Sequence, residues 1–230
     1  MKILQVKNLS KSFGNKNVIK DVSFEIEKGK IVGLLGKNGS GKTTILKIIN
    51  DLLTIDKGEI LINGEKVGEK SKAMVSYLPE RSYLDRSWTV KQIFTFFEEF
   101  YSDFDRNKAE KLLEDLGLDI DAKISKMSKG MVEKVQLILV MSRNAQLYVL
   151  DEPLGGVDPA TREYILNTIL SNFNENASLL ITTHLVSDVE KIFDQVLVIN
   201  NGEIVLSGDA DQLRDENNAS INEIFIKTVK

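Results

Sequence analysis

One stretch constrains this chain more than any other: Gly36-Lys37-Asn38-Gly39-Ser40-Gly41-Lys42-Thr43. It fits the pattern G-x-x-x-x-G-K-[ST], and both flanks suit it. Ahead of it, Lys30-Ile31-Val32-Gly33-Leu34-Leu35 is a short apolar run of the kind a buried parallel strand needs. Behind it, residues 44–49 space their apolar side chains at helical intervals. Strand, glycine loop and helix start together make an anion site. Successive backbone N–H groups curl around a phosphate, and the helix N-terminus adds the positive end of its dipole. Gly36, Gly39 and Gly41 permit backbone conformations and approaches that a Cβ would block. In such a loop Lys42 reaches the β- and γ-phosphates, and the Thr43 hydroxyl can ligate Mg²⁺. The stretch predicts a nucleotide phosphate site.

A length of 230 residues suits one large domain, or a core with a subdomain. A formal net charge of −4 leaves no basic footprint, which argues against a general nucleic-acid binder. With no cysteine in the chain, zinc ribbons, disulfides and thiol chemistry are excluded. Met1 leads directly into a strand-like segment without a charged-then-apolar leader. No apolar run approaches the ~18–20 residues of a membrane span, so the chain is expected not to cross a membrane by itself.

Residues 1–30 read as strands. Residues 3–6 form a short apolar edge, and Val22, Phe24 and Ile26 alternate with Asp21, Ser23, Glu25 and Glu27. That alternation suits an antiparallel sheet with one wet face. Residues 11–15 read as a turn carrying one aromatic, Phe13. Asn63-Gly64 and Asn201-Gly202 each separate strand-like runs, the strongest short-range hairpin signal. Residues 73–78 read as a core strand closed by Pro79. Residues 90–100 and 109–116 have helical spacing, the second stopped by Gly117, so the region from about Glu80 to Met127 reads as a helical insert. Strand periodicity returns at 147–150, 179–182 and 195–205. The tail holds one more helix, around 209–214, and a short amphipathic end. Alternating strands and helices predict an α/β sheet covered on both faces.

Residues 147–150 end abruptly in two carboxylates, Asp151 and Glu152. In open α/β sheets ligands bind beyond the carboxyl ends of the strands, the edge that also carries the phosphate loop. There Asp151 would face Mg²⁺ through water, and Glu152 the γ-phosphate, where a carboxylate can orient and deprotonate water. The competing reading is an acidic helix start, which the helix dipole favours. His184, the only histidine, follows another core strand. It is either a structural residue or a γ-phosphate contact that orients Glu152.

In order, the phosphate loop, the helical insert, Met127-Ser128-Lys129-Gly130-Met131, Asp151-Glu152-Pro153, Gly156-Val157-Asp158-Pro159 and His184 resemble the ABC ATPases. The resemblance spans essentially the whole chain and is greatest to the nucleotide-binding subunits of bacitracin- and multidrug-efflux exporters. It implies an α/β fold: a P-loop NTPase (RecA-like) core, an N-terminal antiparallel β subdomain and an inserted helical subdomain. It implies a single ABC ATPase domain over 1–230. Within it, 1–80 hold the β subdomain and the phosphate-loop part of the core, 81–130 the helical subdomain, 131–208 the rest of the core, and 209–230 the tail.

The resemblance further implies ATP and Mg²⁺ as cofactors. Phe13 matches the aromatic that stacks on adenine, with Gly36, Asn38, Gly39, Ser40, Gly41, Lys42, Thr43 and Thr44 around the phosphates. Ser128 and Gly130 match the signature motif, and Asp158 the D-loop aspartate. Thr43, Glu80 and Asp151 stand at the metal positions; Glu152, His184 and Lys42 at the catalytic ones. Two such domains are expected to close head-to-tail around two ATPs, at the cytoplasmic face of the cell membrane, with a transmembrane permease docked at the helical subdomain and no nucleic-acid partner. The second ATPase subunit is the same chain or a paralogue.

Three departures stand out: Lys129 and Met131 in a signature usually Leu-Ser-Gly-Gly-Gln, Glu80 where Gln is usual, and Gly155-Gly156 where Ser-Gly is frequent. Lys129 could add a cation near a γ-phosphate or point to solvent. Glu80 can still hold Mg²⁺ or its water. The insert also crowds aromatics: Phe94, Phe97, Tyr101 and Phe104 lie near one helical stripe. Trp88, Phe96 and Phe100 are left for a groove that could take a permease helix. Two rivals stay open: a non-transport ABC ATPase, and a regulatory subunit that binds ATP with little turnover.

Overall fold

The computed structural model describes residues 1–155, 159–172 and 176–230. The chain opens with a hairpin, β1 (Lys2–Phe13) and β2 (Lys16–Glu27), then β3 (Ile31–Leu35) and α1 (Lys42–Ile49). Next come β4 (Lys57–Ile62), β5 (Glu65–Lys66), α2 (Glu69–Met74) and β6 (Val75–Leu78). The insert supplies α3 (Val90–Phe100) and α4 (Arg106–Asp115) and hands over to α5 (Lys129–Met141). There follow β7 (Leu147–Asp151), α6 (Pro159–Asn172), β8 (Ser178–Thr183) and α7 (Val186–Val189). The chain closes with β9 (Gln195–Asn200), β10 (Glu203–Asp209), α8 (Ala210–Asn217) and α9 (Ile221–Thr228).

Among the described residues two sheets form, an antiparallel one in the order β2-β1-β4-β5 and a larger one in the order β10-β9-β3-β8-β7-β6. In the larger sheet β3, β6, β7, β8 and β9 run parallel, and β10 turns back antiparallel on β9. Both Asn-Gly pairs make the expected tight turns, each with two successive residues at positive φ. In β1 and β2, Asn8 and Asp21 also take positive φ and bond side chain to side chain at 2.9 Å. This paired irregularity lets Ile19 and Val22, three apart, both face the core.

The large sheet is buried on both faces. Leu147 and Val149 pack with α1 and the antiparallel sheet, whereas Tyr148 and Leu150 pack with α5, α6 and the tail helices. Period-two alternation persists inside a continuously apolar strand because both sides are dry. A third cluster, from Val90, Ile93, Phe94, Phe97, Leu112 and Leu113 onward, is the core of the insert, and α5 contributes to it and to the main core.

Some sequence expectations are corrected. Only Val75–Leu78 of the anticipated strand is extended; Ala73 and Met74 end α2, a six-residue helix too short to show periodicity. Residues 11–13 continue β1, leaving Gly14-Asn15 as the turn. Helix α3 stops at Phe100, so Phe104 shares no helical stripe. It reaches the same cluster from the following loop, through Phe94 and Phe97 at 6.1 and 5.7 Å. The tail has two capped helices, α8 running to Asn217, past the expected end near Arg214.

Candidate active site

The large sheet delivers its chemistry to one edge. β3 runs into the phosphate loop, β7 ends at Asp151, β8 ends just before His184, and β6 leads through Pro79 to Glu80. Pairing keeps these ends level: Leu35 opposite Thr183, Asp151 opposite Thr182, Leu78 opposite Leu150. A cleft of about 730 Å³ opens there. The loop and α1 line it with Asn38, Gly39, Gly41, Lys42, Thr43 and Thr44; the sheet edge adds Glu80, Glu152, Gly155 and His184. Lys16 and Val18 of β2 and Lys129 and Glu133 of α5 complete the lining.

The loop is built for close approach. A Cβ on Gly36 would stand 2.4 Å from Ser40 Oγ and 2.6 Å from the Ile199 carbonyl oxygen. Gly41, at φ +115°, would put one 2.6 Å from Ile19 Cδ1. Helix α1 starts with no side-chain cap, so its first amides are open to an anion. Lys42 is buried, its Nζ donating to the Gly36 carbonyl at 2.8 Å and lying 3.4 Å from Glu152 Oε1. Ser40 Oγ is buried with no partner among the described residues.

Glu152 takes a left-handed φ of +50°, a strained conformation for a non-glycine residue and one concentrated at functional sites. Its N–H is held by the Thr182 carbonyl at 3.1 Å and Thr182 Oγ1 at 3.0 Å. Its Oε2 accepts from the His184 N–H at 3.2 Å and lies 2.8 Å from His184 Nδ1. One carboxylate thus joins Lys42 to His184. Asp151 is buried, its Oδ1 accepting from Thr182 Oγ1 at 2.7 Å and Thr43 Oγ1 at 3.3 Å. No donor among the described residues reaches its Oδ2. Burial pushes the Asp151 carboxyl above its ordinary range, against the two threonine bonds, and the Glu152 and Glu80 charges add to the rise.

The structure therefore brings the phosphate loop, Asp151, Glu152, His184 and Glu80 together. Phe13 does not line the cleft. It faces Lys16 across the β1–β2 ladder, so its half-exposed ring stands on the same side, at the rim. Ser128 caps α5 by accepting from the Met131 N–H at 3.3 Å, and neither it nor Gly130 lines the cleft of its own chain. Lys129 does; it is exposed and 3.6 Å from Glu133. Asp158 lies outside the described residues. Sequence reasoning missed Thr182, whose hydroxyl donates to Asp151 while accepting from Glu152, and the cleft residues Lys16, Val18 and Glu133. A threonine within the apolar strand 179–182 was the one visible sign of the first.

A mostly parallel sheet with a phosphate loop at its carboxyl edge, faced by an Asp-Glu pair, defines a P-loop NTPase. The chain belongs to the ABC transporter family, which it matches over residues 19–155. It is similar to the ABC transporter ATP-binding protein YtrB of Bacillus subtilis (strain 168), at 32% identity over 93% of this chain and 74% of the relative. The SkfA peptide export ATP-binding protein SkfE of the same organism is 31% identical over 89% of this chain and 88% of the relative. A solved ATP-binding subunit of an ABC transporter superposes with a TM-score of 0.89 at 28% identity, covering 99% of this chain and 100% of that one. Relatives at this level bear the names of both export and import systems. The chain is an ATP-binding, ATP-hydrolysing subunit that couples energy to a membrane transporter, in partnership with a permease and a second ATPase subunit. Among the described residues no helix is long and apolar enough to cross a membrane.

Proposed function

We propose that this subunit powers an exporter of the bacitracin- and multidrug-efflux type from the cytoplasmic face of the membrane, with Glu152 as the base for ATP hydrolysis. The observation that carries the catalytic reading is the single carboxylate fixed between Lys42 Nζ at 3.4 Å and His184 Nδ1 at 2.8 Å. The open amides of α1, Lys42 and Thr44 receive the phosphates. Glu152 takes a proton from the in-line water. His184 holds Glu152 in place and meets the γ-phosphate, where developing charge needs fixed donors. Phe13 stacks on adenine at the rim, a contact with little base specificity.

Thr43, Asp151 and Glu80 suit Mg²⁺. They are oxygen donors, and the buried Asp151 Oδ2 lacks a partner among the described residues. Mg²⁺ needs few protein ligands when phosphates and waters supply the others. Bound there, it would neutralise phosphate charge.

Two chains close head-to-tail, with Ser128, Gly130 and Asp158 of one completing the nucleotide site of the other. Gly130 supports this reading. Among the described residues a Cβ there would meet nothing within 4 Å, so no contact among them explains a residue that costs about 1 kcal/mol in a helix. The permease docks on the insert within residues 81–130, where Phe96 and Phe100 are 45% and 67% exposed. Aromatic ledges of this kind take a partner's helix.

The test is Glu152→Gln, which should bind MgATP without releasing phosphate. Light scattering with MgATP should then show a two-chain mass. A chain that binds ATP and stays monomeric would refute closure on itself and call for a paralogous partner.

A further inference from the structure

Among the described residues, Lys42 and Arg143 are the only buried basic side chains. The mechanism uses Lys42; Arg143 lies outside the cleft, just beyond α5. Its Nε and Nη2 grip Asp103 at 2.9 and 3.0 Å. Its Nη1 donates to the Val75 carbonyl at 2.8 Å, and Nη2 to that of Ala73 at 2.9 Å. Its guanidinium lies 3.8 Å from the centroid of the Tyr101 ring. The Arg143 backbone bridges Phe104. One planar fork thus ties the α3–α4 connection to the start of β6.

Two lines of contact leave this node. Outward, ring follows ring: Tyr101 to Phe100 at 5.0 Å, Phe100 to Phe96 at 5.7 Å, Phe96 to Trp88 at 5.6 Å. Inward, Val75 opens β6, which carries Glu80 to the ATP cleft. Joining the two bodies does not in itself require charge, since apolar residues of similar volume often serve a buried interface as well or better. What the guanidinium adds is directional: a rigid five-donor plane holds the β6 backbone, Asp103 and the Tyr101 ring in one fixed relation.

We propose that Arg143 is a positioning residue that transmits nucleotide binding in the cleft to the aromatic ledge of the insert, and so to the permease. The proposal rests on the ledge being the docking face. Coupling of this kind is reciprocal, so whatever seats on the ledge alters ATP affinity by the factor with which ATP alters the ledge.

Trp88 is the only tryptophan of the chain and ends the ring series, so its emission reports the ledge directly. In Glu152→Gln protein, MgATP is titrated while Trp88 emission is followed, and calorimetry measures the nucleotide Kd independently. MgATP should shift the emission. Arg143→Lys should reduce the amplitude at least about threefold while leaving the Kd within about twofold, because one ammonium cannot satisfy the fork. Tyr101→Leu, which spares every hydrogen bond of Arg143, should do the same and guards against a misfolded Arg143 variant. Full amplitude in both variants overturns the proposal, as does MgATP binding with no Trp88 response when Arg143 and Tyr101 are intact. A parallel collapse of amplitude and affinity overturns it too, by reducing Arg143 to a fold-holding role. Phe96→Ala and permease co-purification test the docking reading separately, and its failure would leave the Trp88 result standing.

Discussion

Replacing Asp151 by asparagine isolates the cost of a buried carboxylate at the site. Asp151 is 1% exposed, and its Oδ2 meets no donor among the described residues. Burial raises its pKa, so the folded chain binds this proton more tightly than the unfolded chain. The destabilisation from its charge is complete above the folded pKa, shrinks as pH falls through it, and vanishes below the ordinary value of 3.8. Asparagine keeps an Oδ1 acceptor for the Thr182 and Thr43 hydroxyls and removes the charge. An unmet buried polar group costs about 1–3 kcal/mol, and a charged one more. Because the amide is still unmet, the net gain is set at about 1 kcal/mol, or about 2–4 °C in Tm for a chain of this size. Scanning calorimetry in EDTA, at alkaline pH and again well below pH 3.8, checks this. Asp151→Asn should melt higher at alkaline pH and converge with the parent in acid. Adding MgATP should reverse the order, because the variant lacks the anionic oxygen for the cation. A variant that melts lower in alkaline EDTA, or an offset independent of pH, would refute the reasoning.

Three further outcomes are expected. His184→Ala deletes the 2.8 Å contact to Glu152 and should slow phosphate release on the order of 10²-fold with KM nearly unmoved; a raised KM at unchanged kcat would make His184 a binding residue instead. Gly64→Ala, at φ +84° with open space around it, should cost only the strain of a left-handed alanine, about 1–2 kcal/mol, and retain ATP binding. Gly41→Ala adds a collision with Ile19 to its strain and should abolish nucleotide binding; equal behaviour of the two in melting and binding would rule out that collision as the cause. Phe13→Ala should weaken ATP binding by about 1 kcal/mol, roughly fivefold, and leave kcat unchanged; unaltered affinity would remove Phe13 from the site.

The phosphate loop, the Asp-Glu pair and both Asn-Gly hairpins were legible because each is a local pattern whose chemistry and backbone needs lie within a few residues. The insert helices were legible for the same reason, through their apolar spacing; the Thr89–Gln92 capping box that starts α3 was found only in the structure. The short α2 was not, since one and a half turns carry no period. Nor was the place of Phe104, because the aromatics of α3 and the next loop read as one stripe until the chain turns.

The sequence by itself determined the class of chemistry: a glycine loop for phosphates, two carboxylates and one histidine at strand ends, and enough apolar periodicity to place them on a parallel sheet. Only the tertiary structure decided how those groups meet. Lys42, Glu152 and His184 converge because β3, β7 and β8 end level, and Thr182 matters only because its strand lies against Asp151. Arg143 and Asp103 stand 40 positions apart and are joined by a fork, and Phe96 is exposed where neighbouring Phe97 is buried. Pairings between distant segments leave no periodic trace in a single sequence, since they are chosen by packing of the whole chain.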